Sequence, residues 1–117
     1  MHLILSPQAG LPGQPETTIQ VAGDVLTIDG LHYDLSPVPE GGEGEWEDGP
    51  FIGPIRRIGG VIHCKVCVTL GPDTADDQPP DWAHWTIPDA EGGITIPALR
   101  KPILGYQTES EQEELKQ

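Results

Sequence analysis

At 117 residues, with 19 acidic and 6 basic side chains, the chain carries a formal net charge of −13. That charge sets it against phosphate backbones and anionic lipid, so neither nucleic acid nor a membrane is expected as a partner. Gly 15 and Pro 13 beside 36% hydrophobic residues describe one loop-rich domain with a modest core, long enough to bury roughly two-thirds of its unfolded surface without a disulfide or a metal.

The opening run His2 to Leu5 is apolar and is stopped by Ser6-Pro7, which predicts a short first strand at an edge or paired with a later one. Q-A-G-L-P-G-Q-P, over 8–15, is a loop. Thr17 to Ala22 returns to strand chemistry, with Ile19 and Val21 alternating against Thr18 and Gln20. Gly23-Asp24 turns the chain, and the stretch V-L-T-I-D-G-L-H-Y-D-L follows. Its Asp29-Gly30 between alternating runs is a strong hairpin signal, because a two-residue type I′ turn needs positive φ at both central positions. Thr17 to Leu35 is therefore expected to form three consecutive strands.

Val38 to Pro50 holds four glycines, two prolines and five carboxylates, a solvated acidic loop in which Trp46 is the odd member. Ile55 to Ile58, Gly59-Gly60 and Val61 to Leu70 read as a second hairpin ending in the longest strand. On that strand Ile62, Cys64, Val66, Val68 and Leu70 share one face, and Val61, His63, Lys65, Cys67 and Thr69 the other. A further acidic turn region leads to Trp82, Trp85 and Ile87, read as a short strand that Asp89 to Gly93 turns and Ile94 and Ile96 return. Gln107 to Gln117 has capping-box spacing but a single apolar residue, Leu115, so it has no face to bury. The expected architecture is all-β: an antiparallel meander of about six to eight short strands in a small sandwich or barrel. The domain is expected over 1–104, with a flexible acidic tail over 105–117 that becomes helical only when a partner holds it.

The motifs that suggest chemistry fail on geometry. Cys64-Lys65-Val66-Cys67 is a C-x-x-C preceded by His63, yet positions i and i+3 of a strand point to opposite faces. One thiol should be buried and the other turned away, with neither a redox pair nor half a zinc site. No second C-x-x-C exists, and His2, His32 and His84 lack ligand spacing. The acidic stretches Glu40 to Asp48 and Asp73 to Asp81 lack the ligand pattern of an EF-hand. Ser6, Ser36 and Ser110 lie in no G-x-S-x-G elbow, and Gly41-Gly42 and Gly59-Gly60 open no helix that could cradle a phosphate. No cofactor, no metal and no enzymatic activity are expected. No run is long enough to span a bilayer, and M-H-L-I-L-S-P lacks the basic region and apolar length of a signal peptide. Reduced thiols and synthesis in the cytoplasm follow as expectations.

The segments M-x-L-I-L-S-P, then G-D-V-L-T-I-D-G-L-H-Y-D-L-S-P-V-P-E-G, then I-x-R-I-G-G-V-I-H with an apolar strand ending L-G-P, occur in that order over residues 1–97. In this the chain resembles small acidic proteins encoded among the tail genes of tailed phages and prophages. The resemblance implies a role in tail or tail-fibre structure and assembly, and it brings no catalytic residues. The C-x-x-C departs from its pattern. The expected function is that of a non-enzymatic tail-associated structural or assembly protein, partnered by other tail or tail-fibre proteins or by itself, and located first in the cytoplasm and then with the virion. Candidate contacts are Trp46, Trp82 and Trp85 as aromatic anchors and Arg56 and Arg57 as charge partners. The competing role for each is core plugging or an internal salt bridge. The alternative from another class is a cytoplasmic small-ligand or metal-binding β module using Trp82, His84, Trp85 and the acidic loops.

Overall fold

A computed structural model describes residues 1–101; the tail expected over 105–117 lies outside them. The fold is all-β, with nine strands in two sheets among the described residues. In chain order these are β1 (His2–Ala9), β2 (Ile19–Ala22), β3 (Val25–Ile28), β4 (Leu31–Asp34), β5 (Glu43–Gly44), β6 (Ile55–Ile58), β7 (Val61–Leu70), β8 (Thr86–Ile87) and β9 (Gly92–Ile94). One sheet has the order β5-β6-β7-β1-β8 and the other β4-β3-β2-β9.

The second sheet contains the expected three-strand meander. Ile19 pairs with Ile28 and Val21 with Leu26, and Leu26 pairs in turn with Tyr33. Asp29 and Gly30 both take positive φ, 51° and 83°, as a type I′ turn demands. The Asp29 carboxylate also accepts the Thr18 N–H at 2.9 Å. The β6–β7 hairpin likewise turns on two positive-φ glycines, Gly59 and Gly60. Along β7 the pleat separates the faces as its sequence requires: Ile62, Cys64, Val66, Val68 and Leu70 are buried, and the alternate residues are wetter.

Three features differ from the sequence reading. First, β1 does not stop at Pro7, and of the two settings expected for it the structure gives the pairing with a later strand and not the edge. It runs to Ala9 between β7 and β8, and its pairing with β7 is parallel, so that sheet is mixed. The register Leu3↔Cys64 and Leu5↔Val66 puts the apolar side of β1 on the core side of β7. Among the described residues no strand pairs with the other side of β1 beyond Ile4, the edge-like setting in which a strand proline is tolerated. Second, Trp82–Trp85 is a 3₁₀ turn. Asp81 caps it by accepting the Ala83 N–H at 3.1 Å, and the Asp81 carbonyl accepts the His84 N–H. An Asp cap immediately after a Pro-Pro pair favours that local bonding over a ladder. Third, β8 and β9 do not form a hairpin. They join different sheets, β8 beside β1 and β9 beside β2.

The buried side chains of both sheets form one core, with Leu3, Leu5, Leu26, Leu35, Ile62, Val66 and Val68 almost fully enclosed. The arrangement is a sandwich whose interior is filled from two inward pleat faces. Arg57 on β6 ties the sheets together at one end. It donates from Nε to the Val38 carbonyl at 2.7 Å and from Nη2 to the Asp24 carboxylate, at the β2–β3 turn, at 2.9 Å. At the other end the Arg100 guanidinium pairs with Glu16 and reaches Asp73 at 3.1 Å. The hydrogen bonds from Arg100 hold the Glu16 carboxyl below its usual range, against the opposing effect of its partial burial.

Candidate functional site

The five candidate contact residues have separate fates. Trp85 is in the core, 3% exposed, with its indole N–H donated to the Pro79 carbonyl at 2.7 Å. It fills the interior and is no docking anchor: an indole whose N–H finds an internal acceptor is stable when buried. Arg57 is also turned inward, held by the Val38 carbonyl and the Asp24 carboxylate and by the carbonyls of Ser36 and Gly60. Arg56, one position along the same strand, points outward and meets Glu43 at 3.1 Å, with both side chains more than half exposed. Trp82 is 55% exposed, and the Lys65 ammonium lies 3.9 Å from its ring centroid.

Trp46 is different. It follows the two-residue strand β5 in the acidic loop and is 39% exposed. Its ring meets the Tyr33 ring edge-on, with centroids 5.1 Å apart, and lies 6.0 Å from Phe51. Tyr33 in turn meets Phe51 edge-on at 5.3 Å. The indole is therefore seated on one side and open on the other. Trp46 lines a groove of about 210 Å³ with Leu35, Val38, Pro39 and Ile55. Asp34, Glu43 and Glu45 also line it, and no basic residue does among those described. The Ser36 hydroxyl and N–H hold the Asp34 carboxyl below its usual range, the N–H bond being 3.0 Å.

Close approach of the loop to this aromatic cluster depends on Gly49. A Cβ there would stand 3.0 Å from the Trp46 ring and 3.3 Å from that of Phe51. The loop is anchored at its other end by Glu40. Its two carboxylate oxygens accept the N–H groups of Gly59 and Gly60 at 2.7 and 2.6 Å. Successive N–H groups in a positive-φ turn make a concavity for an anion, and here the chain supplies its own. Neither Glu40 nor the Tyr33–Trp46–Phe51 cluster was legible as a contact in the sequence. The Gly59-Gly60 turn that Glu40 binds lies 19 and 20 residues further along the chain, so nothing local in the sequence shows that the loop folds back onto it.

The C-x-x-C falls on opposite faces, with Cys64 buried, Cys67 half-buried and both thiols free. Burial pushes the Cys64 thiol up to about 12. On the outer face His2 stacks on His63 with ring centroids 4.6 Å apart. Desolvation first, and then the neighbouring His2, lower the His63 pKa. His84 bonds the Pro97 carbonyl through Nε2. Among the described residues no group of three or more His, Cys, Asp and Glu side chains converges to hold a metal ion, and no helix is long and apolar enough to cross a membrane. No protein-family model, no curated protein and no solved structure matches the chain.

Proposed function

We propose that this chain is a non-enzymatic structural or assembly protein of the tail region of a tailed phage or prophage, working through protein–protein contacts. The observation that carries the reading is the set of sheet ends. Among the described residues both sheets are open, with β5 and β8 bounding one and β4 and β9 the other. Open edges present unpaired N–H and C=O groups on which another chain can add a strand. An exposed apolar side chain sits on one of them: Leu31 on the end strand β4 is more than half exposed. The resemblance of its segment order to small acidic tail-region proteins is what suggests the biological setting.

The alternative, a small-ligand or metal-binding module built on Trp82, His84 and Trp85, has less support. Trp85 is buried, His84 is bonded to a backbone carbonyl, and Lys65 covers Trp82. The test is co-expression with the products of neighbouring tail genes, followed by affinity capture and light scattering on a sizing column. Capture of a tail protein, or a defined oligomer of this chain, supports the proposal. A monomer at every concentration that captures none of them sinks it.

A further inference from the structure

We infer that the groove beside Trp46 seats an arginine or lysine side chain carried on a basic segment of a partner protein. The inference rests on the reading above in taking the partner to be a protein. Four observations point to this occupant. At about 210 Å³ the groove is smaller than the cavities that enclose whole drug-sized ligands, and its size suits one side chain. Its floor of Leu35, Val38, Pro39 and Ile55 matches the alkyl stem of a long cationic residue, whose charged head stays near water. Its wall is an indole, the aromatic ring that attracts a cation most strongly. Three carboxylates and no basic group line it among the described residues.

The molecule contains the same pairing once already, in the Lys65 ammonium over Trp82. Trp46 has no such cation over it among the described residues. Of the lining carboxylates, Glu43 is shared with Arg56, whereas Asp34 and Glu45 form no ion pair among the described residues. A basic segment approaching a body of net charge −13 is steered toward it, and the groove supplies the local register.

The experiment follows the backbone and indole N–H signals of the ¹⁵N-labelled full chain while hexa-arginine is added, with hexa-glutamate as the control. The expected result is saturable movement of the Trp46 indole signal and of the amides over 34–46. Affinity should weaken about tenfold in Trp46→Ala and about threefold in Glu45→Gln, and every affinity should fall with added salt. Trp46→Phe preserves an aromatic seat on Tyr33 and Phe51, so it separates loss of the indole from loss of folding. It should bind with intermediate affinity.

Equal movement of the Asp73 to Asp81 loop, with unchanged affinity in Trp46→Phe and Glu45→Gln, would mean diffuse charge attraction and overturn the inference. So would binding of tetramethylammonium in the groove without binding of hexa-arginine, which would make it a small-ligand site. Failure here is distinct from failure of the tail-assembly proposal. A chain that captures a tail protein but ignores hexa-arginine loses only the groove. One that binds hexa-arginine at Trp46 but captures no tail protein keeps the groove and loses the setting.

Discussion

Cys64 and Cys67 stand three positions apart on β7, and the pleat sends their sulfurs to opposite sides of the sheet. This was readable from the sequence because strand periodicity is local and fixed. With its thiol pushed up to about 12, Cys64 has almost no thiolate at neutral pH, and its burial blocks access. Iodoacetamide should therefore label one cysteine in the folded protein, Cys67, and two in guanidinium, counted by intact mass. His63 makes a second prediction. Its pKa is lowered in the folded state, so the unfolded chain binds the proton more readily. The stability that comes with a neutral His63 is present above the ordinary histidine range and is lost as pH falls through it toward the folded value. Urea midpoints at about pH 7.5 and 5.5 should differ less in His63→Gln than in the wild type. The two neighbouring arginines, indistinguishable in sequence, separate by burial. Arg57→Ala leaves Asp24 and three carbonyls short of a partner and should cost about 2–3 kcal/mol. Arg56→Ala breaks only an exposed pair and should cost about 0–1 kcal/mol. Chemical denaturation of both variants checks the contrast.

At the scale of the element, the hairpins were the most legible part of the chain. Asp29-Gly30 and Gly59-Gly60 need positive φ, and only a few residues supply it cheaply. The 3₁₀ turn at Trp82–Trp85 was not legible, because two tryptophans and an isoleucine look like a strand until the Asp81 cap is seen to bind Ala83. The β6–β7 hairpin carries a testable asymmetry. Gly60 has φ of 80° and open space where a Cβ would stand, so Gly60→Ala should cost about 1–2 kcal/mol through backbone strain alone. Glu40→Gln leaves the strands intact and weakens the two N–H bonds that hold the acidic loop to the turn. Its expected signature is faster hydrogen exchange at Gly59 and Gly60, with about 1 kcal/mol lost from global stability. The same loop carries Trp46, so the Glu40 variant should also broaden the Trp46 indole signal.

For the whole molecule, the all-β class and the two-faced strands follow from alternation, whereas the way the sheets are assembled does not. Nothing in His2 to Leu5 says that it will lie parallel to a strand far along the chain, or that β8 and β9 will part to different sheets. Such pairings are decided by which apolar faces fit together in space. The candidate site was half legible for the same reason: Trp46 stood out in its loop, but Tyr33 and Phe51, which seat it, come from other segments. A body of net charge −13 repels itself when folded, and screening relieves that repulsion. The melting temperature should rise between low and moderate sodium chloride, measured by circular dichroism. The parallel β1–β7 pairing also bears on time. His2 must wait for His63, and at ordinary translation speeds those positions leave the ribosome on the order of 3–12 s apart. Among the described strands β1 is made before the rest of its sheet, so for that interval its apolar face is without the β7 strand that covers it in the folded protein.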